Sequence, residues 1–224
     1  MCGRFAFYSP AEATAALFGA SGSLDLEPRY NVAPTQYVAS VRNAEGGDAR
    51  ELVLLRWGLV PSWAKDPAIG NRMINARAET VAEKPAFRAA YRRRRCLVLA
   101  DGFYEWHKEG PAKIPYFISL ANEQPFAFAA LWEHWRSKEG DDVIDSATLI
   151  TANANEFMSS LHHRMPVILE ADTAERWLAG DDEVIDYAVE HTPRLRAWPV
   201  QRSVNNPRNE GEDLIEPAGD VLES

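Results

Sequence analysis

Cysteine is almost missing from this 224-residue chain, which has only Cys2 and Cys96. Two cysteines cannot build a disulfide framework, and the default expectation is a reducing, cytoplasmic setting. No charged leader followed by an apolar segment of roughly 7 to 15 residues stands at the start. No apolar run approaches the ~20 residues of a membrane span, so no membrane partner is expected. Metal-ligand spacing is lacking as well. His162 and His163 are adjacent, but no third histidine or paired cysteine joins them, which argues against zinc and leaves no metal or other cofactor expected. The patterns GxxxxGK[ST], GxGxxG and GxSxG are absent, which withdraws support from nucleotide hydrolysis and serine-hydrolase chemistry. There is no linker-like stretch and no internal repeat, so one domain is expected.

What is present suffices for a large core. Apolar residues make up 46% of the chain and seven tryptophans are among the aromatics, so neither metal nor disulfide is needed for stability. The net charge of −9 argues, taken alone, against a partner as acidic as nucleic acid. The charge is unevenly spread. Residues 1–110 carry 15 Lys and Arg against 12 Asp and Glu, whereas residues 111–224 carry 9 against 21. A locally positive groove in the N-terminal half remains compatible with these numbers.

The pattern along the chain predicts an α+β domain with a sheet-rich, barrel-like centre and peripheral helices. Ser9-Pro10 before "AEATAALF" reads as a helix start, with serine as N-cap and proline at the first helical position. Strands are expected at 36–42 and 51–60, paired around the turn "NAEGGD". Others are expected at 95–108, bent at Asp101-Gly102, and at 114–120, 126–135, 146–153, 165–169 and 196–200. Helices are expected at 84–93, at 153–160 and from Thr173 to about Glu190, broken near Gly180. The domain is drawn over 1–210, with 211–224 as a loose acidic tail.

Several residues could carry chemistry. Removal of Met1 makes Cys2 the first residue, with amine and thiol on adjacent carbons; their reference pKa values are about 8 and about 8.5. Such a 1,2-aminothiol either attacks an aldehyde and closes to a thiazolidine or acts as an N-terminal nucleophile on an amide. The alternative is a small buried residue of no consequence. Trp57 reads as core, whereas Trp63, after Pro61-Ser62, reads as core or as a stacking surface for a ligand ring or base. In "INARAET", Asn75, Arg77 and Glu79 share one face if the segment is extended, either solvated or lining a site. Glu105, between Tyr104 and Trp106, is either a desolvated general acid or base or an outward charge. Of His162 and His163, only one should face a site if the segment is extended. Arg4, Arg77, Arg164 and the run "RRRR" at 92–95 are phosphate-binding candidates, the run reading also as a solvated helix end.

Taken together and in order, "MCGRF", "RYNVAPTQ", "RWGLVPSWAKD", "INARAET", "ADGFYEW" and "LHHRMPVIL" resemble the SRAP family, SOS-response-associated peptidase-like proteins that shield abasic sites in single-stranded DNA. The matches run from Cys2 to about Pro199. The resemblance implies that Cys2 crosslinks to the ring-opened sugar aldehyde of an abasic site as a thiazolidine. It implies that Asn75 holds the sugar or the amine, that Glu105 shuttles protons for Schiff-base formation, and that His162, followed by Arg164 and Pro166, serves the sugar oxygen. Arg4, Arg77 and Arg164 would then grip phosphates and Trp63 would stack near the lesion. Relatives often have a second aromatic after that tryptophan; here Ala64 stands there, which implies weaker stacking. The expected partner is abasic single-stranded DNA, bound by a monomer that is cytoplasmic and joins the nucleoid on damage. Two rivals stand beside this reading: an N-terminal-nucleophile cysteine peptidase built on Cys2, and a noncatalytic single-strand binding module.

Overall fold

The two apolar stretches around the expected Gly-Gly turn do pair. In the computed structural model, which describes residues 2–47 and 49–224, β4 (Tyr37–Asn43) runs antiparallel to β5 (Arg50–Trp57), with Val41 opposite Leu52. Met1 and Asp48, the latter in the expected turn, lie outside the described residues. Before this hairpin come β1 (Phe5–Phe7), α1 (Ala11–Leu17), β2 (Ala20–Ser21) and β3 (Arg29–Val32). The serine cap expected for α1 is not made. Pro10 occupies the N-cap position, and the Ser9 hydroxyl and main-chain N–H instead donate to the buried Asp101 carboxylate.

Asp101 sits at the bend between β7 (Arg95–Ala100) and β8 (Gly102–Glu109). The bend is a change of sheet. β7 belongs to the sheet ordered β12-β11-β10-β7-β4-β5-β2, and β8 to the one ordered β15-β14-β9-β8-β1-β3. In chain order the remaining elements are β6 (Asn75–Arg77), α2 (Arg88–Arg93), β9 (Ala112–Leu120), β10 (Phe126–Arg136) and β11 (Val143–Asn153). They continue with α3 (Glu156–Ser159), β12 (Arg164–Pro166), β13 (Ile168–Leu169), α4 (Ala171–Leu178), α5 (Val184–Glu190), β14 (Leu195–Pro199) and β15 (Leu222–Glu223). The expected helices at 84–93 and 153–160 are thus shorter than the pattern implied.

A parallel pairing of β5 with β11, Arg56 opposite Ser146 and Trp57 opposite Ala147, closes β11-β10-β7-β4-β5 into a five-stranded barrel. Trp57 is fully buried, its indole N–H donating to the Ile74 carbonyl at 2.9 Å. Gly58 follows at φ +125°, and a Cβ there would stand 2.5 Å from the Gly70 carbonyl oxygen, so the pair "WG" meets a close backbone approach that only glycine permits. The second sheet packs one face on the barrel through Phe5 and Phe103, whose rings meet Phe128 at 5.7 and 6.0 Å. Its other face carries a smaller core of Ala6, Tyr104, Phe117, Trp198, Val204 and Leu214.

That smaller core overturns the expectation of a loose tail. Leu214 is 1% exposed, β15 pairs with β14, and the Trp198 indole donates to the Ile215 carbonyl at 2.7 Å. Upstream, the buried Asn31 donates to the carbonyls of Asn206 and Asn209 at 3.0 and 2.8 Å, and Glu210 accepts from Arg29 and the Tyr30 N–H. The acidic end is therefore tied to the fold by hydrogen bonds that its composition does not advertise.

Gly102 packs so tightly that an added Cβ would lie 2.2 Å from the Phe117 ring. Gly102→Ala should lower the stability measured by urea unfolding by about 3 kcal/mol through overpacking at the sheet change. Gly47→Ala, whose Cβ would meet only the Ala49 nitrogen at 3.9 Å, should be close to neutral.

Candidate functional site

Four side chains expected in the site come from both layers. Cys2 precedes β1 and Glu105 lies on β8, both in the second sheet. Asn75 opens β6 and His162 precedes β12, and both of these strands pair with β11 of the barrel sheet. The site is thus the junction between the layers. Cys2 is fully buried and belongs to the main core; Glu105 is 3% exposed. The Asn75 amide donates to the Cys2 carbonyl at 2.7 Å, which fixes the chain start against the barrel. Asn75 Oδ1 is buried and has no hydrogen-bond partner among the described residues.

Electrostatics link the group. Burial pushes the Cys2 thiol well above its ordinary pKa, and the Glu105 charge adds to that rise. The thiol is therefore protonated at neutral pH, with Sγ 3.8 Å from the Arg4 carbonyl oxygen. Burial lowers the His162 pKa, against a smaller opposing pull from Glu105, so the imidazole favours its neutral form. Glu105 acts on both neighbours, which puts a carboxylate where it can exchange protons with a thiol and an imidazole.

The two histidines do not point to opposite sides. The segment is a turn rather than extended chain, and the rings stack at 4.3 Å with 29° between planes, His162 half-buried and His163 exposed. Of the one-face trio, Asn75 and Arg77 are in β6, whereas Glu79 falls in the following turn and pairs with Arg164.

The cations divide between surface and interior. Arg77 is exposed, and Trp63 is 59% exposed in the loop between β5 and β6, beside Lys65 and Arg72. Arg4 and Arg164 turn inward instead. Arg4 donates to Asn31 Oδ1 at 2.7 Å and to the Val204 carbonyl at 2.8 Å. Arg164 is 5% exposed, with its guanidinium on Glu79, Asn153 and Thr151. The run at 92–95 splits likewise: Arg92 and Arg93 are solvated, Arg94 pairs with Glu133, and Arg95 is buried between the rings of Tyr91 and Trp177.

The reading of the sequence missed Asn31 and Asp101 as polar hubs. "RYNVAPTQ" was a signal for the first, since a polar residue stands at a buried strand position there, but a lone Asn or Asp in a string does not reveal its partners.

Fold and site define the class: a one-domain α+β protein built on a closed five-stranded barrel, with a Cys-Asn-Glu-His cluster, its Cys2 and Glu105 buried, where the second sheet meets it. The chain belongs to the SRAP (SOS response associated peptidase) family, whose model matches residues 1–207. It is 41% identical to the abasic site processing protein YoqW of Bacillus subtilis, over 96% of this chain and 99% of that one. It is 32% identical to the abasic site processing protein YedK of Escherichia coli, over 97% of this chain and 100% of that one. Among solved structures, a protein of Bacteroides thetaiotaomicron superposes with a TM-score of 0.84 at 25% identity, covering 97% of this chain and 100% of its own.

The thiol shift has a measurable sign. Glu105→Gln removes a charge that raises the Cys2 pKa, so the thiolate fraction at pH 8 should increase and iodoacetamide should alkylate Cys2 faster than in the wild type. Cys96 is also buried with a raised pKa, but Glu105 is not among the groups acting on it. It serves as the internal control in peptide mass spectrometry and should not change.

Proposed function

We propose that this chain processes abasic sites in single-stranded DNA by crosslinking to them through Cys2, shielding the lesion during the damage response. The observation that carries the reading is the junction cluster: a buried cysteine directly behind the initiator, its carbonyl held by Asn75, in the field of a carboxylate that also acts on His162. The names of YoqW and YedK, both abasic site processing proteins, support the substrate.

The chemistry requires that Met1 be removed, because an acylated nitrogen cannot form an imine. The Cys2 amine then attacks C1′ of the ring-opened sugar, an N–C bond forms, and the carbonyl oxygen leaves as water to give a Schiff base. Sγ adds to the same carbon, the thiol proton passes to nitrogen, and a thiazolidine results. One aldehyde and one aminothiol yield the ring and one water, so the atoms balance with no cofactor. Glu105 takes the proton that the amine sheds and returns it to the departing hydroxyl. Neutral His162 donates to the sugar oxygen, and Asn75 Oδ1 accepts from the amine or a sugar hydroxyl.

Selectivity in this reading comes from shape and reactivity. A bare sugar enters where an intact base does not, and only a ring-opened sugar offers an aldehyde. Arg77 contacts phosphate from the surface while Trp63 stacks beside the lesion. With so acidic a chain, noncovalent affinity is modest and salt-sensitive, and the covalent bond supplies durability. The protein acts as a cytoplasmic monomer that joins the nucleoid at damage, turning over stoichiometrically rather than as a true peptidase or lyase.

The test is a denaturing gel of the protein, with Met1 removal verified by intact mass, incubated with single-stranded DNA bearing one abasic site. A retarded, heat-stable band should appear for the wild type and vanish for Cys2→Ala. DNA-independent amide cleavage without a band would support the peptidase instead, and retained binding without a band the noncatalytic module. Glu105→Gln should slow adduct formation roughly 100-fold with noncovalent affinity little changed. His162→Ala should impair the reaction more than His163→Ala.

A further inference from the structure

Arg164 is the most heavily bonded cation near the junction, and its bonds cross a strand. At its C-terminal half β11 is flanked on one edge by parallel β6, with Asn75 opposite Leu149 and Arg77 opposite Thr151. Antiparallel β12 lies on the other edge, with Arg164 opposite Asn153. Arg164 reaches over β11 to the turn that follows β6. Its two terminal nitrogens take both oxygens of Glu79, at 2.5 and 3.0 Å, in the bidentate geometry that fixes direction as well as distance. The same nitrogens donate to Asn153 Oδ1 at 2.8 Å and to the Thr151 carbonyl at 2.6 Å, an oxygen that also accepts from the Ala78 N–H. The ion pair therefore joins the arm carrying Asn75 to the arm carrying His162. The bond to Arg164 also draws the Glu79 pKa below the ordinary carboxylate range.

The main chain of Arg164 sets the imidazole. Its N–H donates to His162 Nδ1 at 3.0 Å. The Arg164 carbonyl oxygen lies 3.1 Å from the same Nδ1, so both main-chain groups of Arg164 hold this ring nitrogen, the N–H favouring the Nε2–H tautomer and the carbonyl the Nδ1–H tautomer. A shift of β12 relative to β6 would move this N–H and release the tautomer.

We propose that Arg164 and Glu79 are positioning residues: their ion pair across β11 locks the spacing of Asn75 and His162 and, through the Arg164 main chain, holds His162 in a single tautomer. This rests on the crosslinking reading for its functional consequence. The structural claim stands by itself, and it differs from a phosphate contact by Arg164.

The decisive experiment compares wild type, Glu79→Gln and Arg164→Lys in three measurements, after circular dichroism has verified folding. In long-range 1H–15N spectra of the DNA-free protein, His162 should populate a single tautomer in the wild type and be mixed between tautomers in both variants. Single-turnover crosslinking should fall about tenfold in both, including Arg164→Lys, which keeps the charge but loses the fork. The salt dependence of noncovalent binding to abasic single-stranded DNA should be unchanged. Should Arg164→Lys crosslink normally with one tautomer retained, or Glu79→Gln bind DNA more tightly because a freed Arg164 meets phosphate, the proposal is overturned. Glu79→Gln is the milder change, at a side chain 42% exposed, and carries the test if Arg164→Lys does not fold. If the wild type forms no adduct, the crosslinking reading fails, and the tautomer spectra still decide the positioning claim.

Discussion

One edge of β11 is shared by two segments in succession, and the junction is built on that sharing. β5 pairs with it at Ser146 and Ala147, which closes the barrel, and β6 takes over at Leu149 to Thr151. Between them the chain leaves the sheet for the loop that bears Trp63 and returns in register. The Gly58 N–H donates to the Ala147 carbonyl and the Val60 N–H to Ser146 Oγ, both at 2.8 Å, so the departure is pinned at its first residues. The loop carries the exposed Trp63, with Lys65 and Arg72 beside it. Asn75 then arrives at a fixed height on β11, from which its amide holds Cys2.

That clamp works against an electrostatic cost. A thiol and a carboxylate are both buried at the junction, and the carboxylate charge makes the thiolate harder to sustain. The protein meets this by keeping the thiol protonated and placing a neutral imidazole within the field of Glu105. The inward-turned arginines serve the same order: Arg4 supports the segment beneath Cys2, and Arg164 braces the arms beyond it.

The strands were legible because their signals are local. β-branched and apolar runs bounded by Gly, Pro and Asn predicted β4, β5, β9, β10 and β11 to within a few residues, and Gly180 marked the break between α4 and α5. The stretches 84–93 and 153–160 were drawn too long because the residues before Arg88 form turns and the second helix starts only after Asn155, whose side chain caps it through the Met158 N–H. The tail at 211–224 was misjudged because its composition is that of a solvated segment, but Trp198 and the edge of β14 offer it partners.

The sequence by itself determined which chemistry is present: a cysteine behind the initiator, an asparagine, a glutamate between aromatics, and a histidine before Arg-Met-Pro, in motifs whose order resembles one family. It also settled the class of fold, since period-two alternation and turn residues are written residue by residue. Only the tertiary structure decided where each cation points. Arg4, Arg77 and Arg164 are indistinguishable as letters, and whether a guanidinium meets solvent or an internal carboxylate depends on which strands share an edge. That pairing is fixed by contacts between segments far apart in the chain, Arg56 with Ser146 and Glu79 with Arg164 among them, and no local pattern encodes them.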